Sequence, residues 1–541
     1  MKLVSVDEMR AIEREADGQG WTYEQMMERA GLGLAEMVHS FYGYEERMSA
    51  LGLVGSGNNG GDTLVALAAL VETGWQVTAY LVRPRPKEDA LLDRLRATGG
   101  TVVERTGDKG FKVLDETLRN ATVLLDGVLG TGIQLPLKEE VAEVLRRVKQ
   151  SAFCPPVVAV DCPSGVDWDS GAAADECLPA EMTISMAAVK SGMMRLPAFE
   201  LCGDIQVVDI GLPEGLEAWD AVRNEIVSED LVRSLLPERP TDGHKGTFGT
   251  VTVVGGSLNY TGAVLLATWA AGKVGAGLVQ AAVSTPLHAA LAGHNPNATW
   301  VLLPHQMGAI SGDAVSVLLR ATERTTAMLV GPGFGLEDCS AEFVRRLLEN
   351  KTSPRARATI GFVNAAVEAK EDKEPARPLP PMVFDADGLK LLAKTEGWYK
   401  HLPSEAVLTP HPGEMGVLTG LEVKDIQADR LGVARRYAAE WGHVVVLKGA
   451  FTVIAAPDGR MRVIPAATTA LAHAGTGDVL AGMIAGLRGQ GLAAFDAATA
   501  GCWMHAQAGL AAAEKLGHEA AVQATDVLAA IPEVLAWVWE R

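Results

Sequence analysis

The chain has 541 residues, of which 48% are hydrophobic and 21% are charged. A chain of this length exceeds one compact core, so we expect two or three domains, and the composition excludes a disordered protein. The net charge of -19 argues against general attraction to nucleic acid or to anionic membranes, and neither partner is expected.

The N-terminal stretch MKLVSVDEMRAIEREADGQG carries charges every few residues and has no apolar core of the kind that a signal peptide needs. No uncharged apolar run reaches the roughly 18 residues that cross a bilayer, so no membrane segment is predicted. The six cysteines show no CxxC spacing, which indicates neither a zinc site nor a disulfide framework. These features predict a cytoplasmic protein with reduced thiols.

The first 210 residues alternate between helical and strand patterns. Helical spacing runs over 6–16 and 23–42, and apolar strands are predicted at 51–55, 76–82, 122–130 and 156–165. Short apolar strands separated by helices indicate an α/β domain with a parallel sheet covered on both faces. Ligands of such domains bind at the carboxyl ends of the strands.

A second α/β domain is predicted after a charged, proline-bearing stretch at 211–246. The pattern restarts at 247–283, and strands with glycine-rich turns and helices recur at 327–335, 381–392, 405–420 and 443–460. We therefore predict domains at 1–220 and 221–541. The charged, proline-rich residues 351–380 are predicted to form an exposed insertion without a chemical role.

Three predicted strand ends of the first domain carry polar residues. They are GSGNNGGD (55–62), DGVLGTG (126–132) and DCPSGVD (161–167). Oxygen atoms of Asn59, Asp126 and Ser164 suit an alkali or alkaline-earth cation better than zinc, and a glycine turn before a helix suits a pyrophosphate. The alternative is that the turns are merely tight and that their Asn and Asp residues cap helices.

The motifs GNNGGD, DGVLGTG and VDCPSGVD resemble the signature blocks of the YjeF N-terminal domain, the NAD(P)H-hydrate epimerase, over roughly residues 1–215. The resemblance implies a Rossmann-like three-layer domain. It also implies interconversion of the R and S epimers of NAD(P)H hydrate, a reduced nicotinamide that has taken up water at one ring carbon. Asn59, Asp126 and Ser164 are similar to the potassium ligands of that family. The implied substrate-binding residues are Asn58, Asn59, Gly60, Gly61, Asp62, Gly130, Thr131, Gly132, Ile133, Gln134, Leu135, Pro136 and Asp161.

Asp161 is the predicted catalytic residue of this epimerase, because a carboxylate near the hydrated ring carbon can transfer a proton or stabilise a cation. Thr63 departs from the family, which usually has a glycine after the aspartate. A β-branched residue tolerates positive φ poorly, so threonine is harmless if position 63 is helical, which is the interpretation we favour. The alternative is a first domain that binds a nucleotide without catalysis.

In the second domain, the stretch HAGTGDVLAGMIAGL (473–487) places a small-residue turn before a helix. Backbone amides of residues 475–477 can form an anion hole for a transferring phosphoryl group, and Asp478 can accept a proton from an attacking hydroxyl. The alternative is that Asp478 only caps the helix.

Four further motifs follow in the order and spacing of the ribokinase-like fold. They are GPGFG (331–335), DADG (385–388), TPHPGEM (409–415) and KGAFT (448–452). With the GTGD turn they resemble the YjeF C-terminal domain, the ADP-dependent NAD(P)H-hydrate dehydratase, over about 225–541. The resemblance implies that ADP phosphorylates the hydroxyl of the S hydrate, with Asp478 as the general base. It implies hydrate contacts at Ala263, Gly333, His411 and Asp478, and nucleotide contacts at Lys448, Gly449, Ala450, Phe451, Thr452 and Gly477.

The expected cofactors are K⁺ in the epimerase site and Mg²⁺ with ADP in the dehydratase site. Glu414, Asp385 and Asp387 are suited either to supporting a magnesium–nucleotide complex or to forming caps and salt bridges. The expected partners are NAD(P)H hydrate, ADP and further copies of the chain in a homo-oligomer. A small-molecule kinase is the alternative, because ribokinase-like folds phosphorylate vitamins and sugars through a similar turn.

Overall fold

The computed structural model describes residues 1–44, 47–349 and 378–539. The chain folds into two compact units, Met1–Ile226 and Val227–Arg541. Most of the predicted insertion at 351–380 lies outside the described residues. Within the described part, no helix is both long enough and apolar enough to cross a membrane.

The first unit is an α/β domain. Its strands are β1 (Leu3–Val4), β2 (Ser49–Val54), β3 (Gln76–Leu81), β4 (Thr101–Glu104), β5 (Val123–Gly127), β6 (Val157–Val160), β7 (Met182–Met186), β8 (Val189–Lys190), β9 (Asp204–Val208) and β10 (Asn224–Ile226). Its helices are α1 (Val6–Gly18), α2 (Tyr23–Tyr42), α3 (Asn58–Glu72), α4 (Ala90–Thr98), α5 (Lys112–Asn120), α6 (Glu139–Lys149), α7 (Ala198–Cys202) and α8 (Glu217–Ala221). Seven strands form a parallel sheet in the order β4-β3-β2-β5-β6-β7-β9.

Both faces of this sheet are buried, as the apolar strand patterns predict. Along β2, Ala50 and Val54 belong to one hydrophobic core, and Leu51 and Leu53 belong to the other. Successive strand residues point to opposite faces, so each face has its own layer of helices. The observed strands β5 and β6 end earlier than predicted. In β6 the reason is Asp161, whose φ of 67° lies outside the strand region.

The second unit is also an α/β domain. Its strands are β11 (Thr250–Val254), β12 (Leu278–Ser284), β13 (Thr299–Leu303), β14 (His305–Gln306), β15 (Ala309–Ile310), β16 (Ala327–Val330), β17 (Met382–Phe384), β18 (Val407–Leu408), β19 (Val444–Leu447), β20 (Val453–Ala455) and β21 (Met461–Val463). Its helices are α9 (Glu229–Leu235), α10 (Thr261–Lys273), α11 (Thr285–Leu291), α12 (Ala314–Ala321), α13 (Asp338–Glu349), α14 (Asp387–Leu392), α15 (Pro412–Thr419), α16 (Val423–Ala428), α17 (Arg430–Trp441), α18 (Thr476–Gly489), α19 (Ala494–Leu516) and α20 (Ala524–Trp539).

The main sheet of this unit runs in the order β21-β20-β19-β18-β17-β16-β11-β12-β13. The pairs β19–β20 and β20–β21 are antiparallel, and the remaining neighbours are parallel. Helix α18 is apolar on nearly all sides because it packs against α10, α19 and the sheet. This packing holds the first turn of α18, which carries the GTGD motif, beside α10.

Candidate functional site

Three strand ends of the first unit meet, as the parallel sheet predicts. Asn59, in the first turn of α3, donates from Nδ2 to the carbonyl oxygens of Val160 at 2.7 Å and Leu129 at 3.1 Å. The amide of Ser164 donates to Asp126 Oδ2 at 2.9 Å, and the amide of Leu129 donates to Ser164 Oγ at 2.9 Å. The segments after β2, β5 and β6 therefore form one polar cluster around Asn59, Asp126 and Ser164.

The carboxylate of Asp126 is fully buried, and its Oδ1 atom has no hydrogen-bond partner among the described residues. Burial raises the pKa of Asp126, although hydrogen bonds from Ser164 and Val128 oppose the rise. A Cβ atom on Gly130 would lie 2.5 Å from Asn59 Oδ1, so the backbone of Gly130 passes close to that oxygen. A buried carboxylate oxygen without a donor, beside amide and hydroxyl oxygens, fits an alkali cation.

Asp161 follows β6 and forms an ion pair with Lys190. Its Oδ1 atom accepts hydrogen bonds from the amide of Met186 at 2.8 Å, from Ser185 Oγ at 3.1 Å and from Lys190 Nζ. Lys190 is fully buried, donates to the carbonyl of Met186 at 2.9 Å, and lies 5.3 Å from the ring centroid of Trp168. The motifs did not reveal Lys190. The signal in the sequence is a lysine at the end of a short buried strand, β8, which pairs with β1 outside the seven-stranded sheet.

Two further carboxyl groups lie in the electrostatic field of this pair. Burial, followed by the charges of Asp161 and Glu13, raises the pKa of Asp62 well above its usual value. The pKa of Glu13, on α1, is raised by burial and by the charge of Asp161. The site therefore combines the ion-paired carboxylate of Asp161 with two carboxyl groups, Asp62 and Glu13, whose pKa values are raised above their usual values. Such an arrangement is suited to acid–base chemistry.

Thr63 lies inside α3, so its backbone is helical and does not need positive φ. Its side chain is fully buried, and Oγ1 donates to the carbonyl of Asn59 at 2.7 Å. Gly60 and Gly61 are buried in the first turn of the same helix. The departure at position 63 is therefore compatible with the turn.

The remaining predicted substrate residues lie at the edge of this cluster. Asn58 is exposed at the start of α3, and in the turn before α6 the residues at 132 and 134–136 are also exposed. The carbonyl of Thr131 accepts a hydrogen bond from Arg10 at 3.4 Å, and the amide of Ile133 donates to the carbonyl of Gly130 at 3.2 Å. No described hydrogen bond joins this turn to Asp161.

In the second unit, Asp478 lies in the first turn of α18, but it is not the cap. The N-cap is Gly475, with φ of 91°, and within the described chain no side chain caps this helix. Burial raises the pKa of Asp478 to about 7, and the charge of Asp385 adds to the rise, while Lys448 opposes it. The capping interpretation of Asp478 is therefore wrong, and its carboxyl group can take up a proton near neutral pH.

Lys448 connects three of the predicted motifs. Its Nζ atom lies 2.6 Å from Asp385 Oδ1 and 3.6 Å from Glu414 Oε2. A Cβ atom on Gly477 would lie 3.6 Å from the same Nζ atom, so Lys448 also reaches the GTGD turn. The side chain of Thr409 donates to Asp385 Oδ1 at 2.7 Å and fixes that carboxylate.

His411 caps helix α15 with its ring. Nδ1 accepts hydrogen bonds from the amides of Gly413 at 3.0 Å and Glu414 at 3.2 Å, so the proton of the neutral ring is on Nε2. Glu414 completes the capping box by accepting from the amide of His411 at 2.9 Å. Burial lowers the pKa of His411, which favours the neutral ring.

The carboxylates considered for metal support are engaged within the protein. Glu414 caps α15 and pairs with Lys448, and Asp387 accepts from the amide of Gly335 at 3.0 Å and pairs with Lys390 at 3.1 Å. Over the described residues, no group of three or more His, Cys, Asp or Glu side chains is arranged to hold a metal ion. In the described structure, Glu414, Asp385 and Asp387 take part in a helix cap and in salt bridges.

Ala263 and Gly333, the two remaining predicted hydrate contacts, lie together. A Cβ atom on Gly333 would lie 3.0 Å from the Cβ of Ala263 and 2.6 Å from the carbonyl oxygen of Tyr260. Gly333 has a φ of 64°, a backbone conformation that would be strained for a residue with a side chain. Tyr260, absent from the motif analysis, is thus a neighbour of both residues.

The predicted nucleotide loop at 448–452 is closed by its own hydrogen bonds. Thr452 Oγ1 donates to the carbonyl of Gly449 at 2.8 Å and accepts from the Gly449 amide at 3.3 Å. Gly449 and Ala450 are exposed, whereas Phe451 is buried. The loop therefore presents backbone atoms, which suit a nucleotide, at the edge of the same site as Lys448.

Two units with mainly parallel sheets, each with a buried cluster of titratable groups at its strand ends, are the architecture of a two-domain α/β enzyme. Residues 251–533 match the family described as NAD(P)H-hydrate dehydratase, and residues 23–192 match the YjeF-related protein N-terminus family. The bifunctional NAD(P)H-hydrate repair enzyme of Moorella thermoacetica is 36% identical, with 99% of this chain and 97% of the relative covered. The chain belongs to the family of bifunctional NAD(P)H-hydrate repair enzymes.

Another relative agrees with this assignment. The bifunctional NAD(P)H-hydrate repair enzyme of Escherichia coli is 30% identical, with 98% of this chain and 93% of the relative covered. Among solved structures, the ADP/ATP-dependent NAD(P)H-hydrate dehydratase of Bacillus subtilis, co-crystallised with ATP and Mg²⁺, is 29% identical. That match covers 58% of this chain and 98% of the other, with a TM-score of 0.45. The α/β fold class predicted for both domains is confirmed.

Proposed function

We propose that the chain repairs hydrated nicotinamide nucleotides in two steps. The first unit interconverts the R and S epimers of NAD(P)H hydrate. The second unit uses ADP to dehydrate the S epimer, yielding NAD(P)H, AMP and phosphate. Membership of a family whose named relatives match the chain over nearly its whole length supports both steps.

In the proposed epimerase site, Asp161 faces the hydrated ring carbon and either transfers a proton or stabilises positive charge there. Lys190 acts as a positioning residue, because it is fully buried and holds the Asp161 carboxylate from behind. Asp62, whose pKa is raised by burial and by the charges of Asp161 and Glu13, is a second carboxyl group of this site. Residues 58–62 and 130–136 hold the rest of the nucleotide.

The polar cluster around Asn59, Asp126 and Ser164 is the proposed K⁺ site, and these three residues would hold the ion. The unpartnered Oδ1 of Asp126 is the observation that supports it. A bound K⁺ would neutralise that carboxylate and attract the phosphates of the substrate.

In the proposed dehydratase site, Asp478 accepts the proton of the ring hydroxyl as the hydroxyl oxygen attacks the terminal phosphorus of ADP. The bond between that phosphorus and the bridging oxygen breaks, and AMP leaves. The ring nitrogen then expels phosphate, and loss of a ring proton restores the reduced nicotinamide. One observation carries this assignment. Asp478 lies in the first turn of α18 without serving as its cap, and its pKa is raised to about 7.

Around Asp478, the proposed hydrate contacts are Ala263, Gly333 and His411, and the proposed nucleotide contacts are residues 448–452 and Gly477. The proton of the neutral His411 ring is on Nε2, which lies 3.4 Å from Glu414 Oε1, because Nδ1 accepts from the helix amides. Mg²⁺, carried in with the nucleotide, would screen the phosphate charges. We further propose a cytoplasmic location, which the six unpaired cysteines support. A homo-oligomer is also proposed.

The test uses the full chain with a mixed-epimer NADPH hydrate, Mg²⁺, K⁺ and either ADP or ATP, and follows the absorbance of NADPH. Complete recovery with release of AMP and phosphate from ADP is the expected result. Recovery that stops at the fraction of one epimer, after spontaneous epimerisation is subtracted, would contradict the epimerase assignment. A stable phosphorylated product would contradict the dehydratase assignment and favour a kinase.

A further inference from the structure

Arg430, the first residue of α17, lies directly under the loop at 448–452. Its Nη2 atom donates to the carbonyl oxygens of Leu447 at 2.8 Å and Lys448 at 3.3 Å, and its Nη1 atom donates to Gln427 Oε1 at 2.8 Å. A Cβ atom on Gly449 would lie 3.1 Å from Nη1 and 3.2 Å from Nη2. The guanidinium group therefore supports the backbone on which the exposed part of the loop is built.

The positive charge of Arg430 has no carboxylate partner within the described residues. Its three acceptors are neutral oxygens, and its buried Nε atom has no partner in the described chain. Burial alone lowers the pKa of the guanidinium to about 10, which leaves it charged at neutral pH. A partly buried charge without a counter-charge is unfavourable unless an anion binds.

Lys448, the other cation at this loop, is in the opposite situation. Its Nζ atom is paired with Asp385 at 2.6 Å and lies 3.6 Å from Glu414, so two carboxylates already balance its charge. With Asp478 also present, the cluster around Lys448 carries more negative than positive charge. A nucleotide that brings phosphates to this site requires a positive charge that the protein has not already neutralised.

We propose that Arg430 belongs to the adenine-nucleotide site, where it holds the loop at 448–452 through two backbone carbonyls and supplies the unbalanced positive charge that attracts the nucleotide phosphates. The inference rests on the proposed function in one respect, namely that this loop binds the nucleotide. Arg430 is a positioning residue in this scheme, because its hydrogen bonds are to the loop.

The test compares Arg430→Lys with Arg430→Gln in the full chain. Both variants keep a donor for the loop carbonyls, but only lysine keeps the charge. Arg436→Gln is the matched control, because Arg436 is on the same helix with its side chain 67% exposed. Direct binding of ADP, AMP and adenosine is measured by titration calorimetry, without hydrate, and a thermal melt verifies folding.

We expect Arg430→Gln to bind ADP about 10- to 100-fold more weakly than the wild type, as loss of a charge-assisted contact predicts. Adenosine, which lacks phosphate, should change by less than about 3-fold, and Arg430→Lys should bind ADP more tightly than Arg430→Gln. KM for ADP should rise more than kcat falls.

Equal ADP affinity of Arg430→Gln and Arg430→Lys would overturn the role of the charge. Equal weakening of adenosine binding and ADP binding in Arg430→Gln would show that Arg430 only shapes the loop. That result would also overturn the role of the charge. A wild-type chain that binds ADP but leaves the hydrate unchanged would contradict the proposed function alone. A wild-type chain that binds no adenine nucleotide would contradict both.

Discussion

The Nζ atom of Lys448 lies 2.6 Å from Oδ1 of Asp385, and this ion pair faces the start of α18. It brings opposite charges close to Asp478: Asp385 raises the pKa of Asp478 and Lys448 lowers it. Burial is the larger influence, and the net result is a carboxyl group that titrates near neutral pH. The protonation state of Asp478 therefore changes within the neutral pH range.

The dehydratase rate should fall as the pH decreases through about 7, because a protonated Asp478 cannot accept the hydroxyl proton. The measurement is kcat/KM with saturating ADP from about pH 6 to about pH 9, together with Asp478→Asn. The variant should lose about 10²- to 10⁴-fold in rate and still bind ADP. A flat profile, or an active Asp478→Asn, would exclude Asp478 as the base.

The same pKa should make the stability of the second unit depend on pH. Because the folded-state pKa is raised, the folded protein binds this proton more tightly than the unfolded chain, so its stability falls as the pH rises from about 4 to about 7. Asp478→Asn should therefore raise the melting temperature more at about pH 8 than at about pH 4. Asp425→Asn, at an exposed position on α16, is the control. Equal effects at both pH values would contradict this account.

Lys190→Met should abolish epimerisation and destabilise the first unit by about 3 to 5 kcal/mol, because it leaves the Asp161 carboxylate without its buried partner. ADP-dependent consumption of the reactive epimer should continue. The measurement is the epimer ratio by chromatography, with a denaturant titration of the same samples. Lys112→Met, at an exposed lysine on α5, is the control. Normal epimerisation by Lys190→Met would exclude the positioning role.

Asp126→Asn should remove the K⁺ dependence of epimerisation and lower its rate, because the variant has a neutral amide where the unpartnered carboxylate oxygen was. The rate is measured against K⁺ concentration with the total ionic strength held constant. Asp93→Asn changes a carboxylate whose side chain is 69% exposed, and it should behave as the wild type. An unchanged K⁺ response in Asp126→Asn would place the cation elsewhere.

Thr63→Gly, which restores the usual residue of the family, should not increase epimerase activity. It should lower the free energy of unfolding by about 1 kcal/mol or more, since glycine inside a helix is unfavourable and the hydrogen bond to Asn59 is lost. The epimer ratio and a denaturant titration measure the two effects. Thr63→Ser, which keeps the hydroxyl, should lose less stability than Thr63→Gly. A gain in activity for Thr63→Gly would mean that threonine impairs the site.

The sequence predicted the parts of the sites that belong to strand ends. Asn59 and Ser164 follow apolar strands and Asp126 lies at the end of a third, and parallel pairing brings those strand ends together. The GTGD and KGAFT motifs were likewise found because each is a local turn with its own residue pattern. In such cases the local sequence contains most of the information about the site.

Lys190 and Arg430 could not be recognised in this way. Each acts through partners brought close by the tertiary fold: Lys190 reaches a carboxylate 29 residues earlier, and Arg430 reaches carbonyls 17 and 18 residues later. Neither forms part of a local motif, and an unpaired charge becomes visible only when burial and neighbours are known. The capping alternative for Asp478 needed the same information, because only the backbone shows that Gly475 is the N-cap.

A substitution at Gly130 would give a protein that distinguishes the two hydrate epimers. The methyl group of an alanine at this position would lie 2.5 Å from Asn59 Oδ1, which is too close for two non-bonded atoms. The substitution lies in the first unit and leaves the residues around Asp478 unaltered. On the proposed function, a Gly130→Ala chain would consume one hydrate epimer directly and the other only as fast as the two epimers interconvert spontaneously. The amplitude of the slow phase of consumption would then measure how much of the hydrate in a sample had been present as the second epimer.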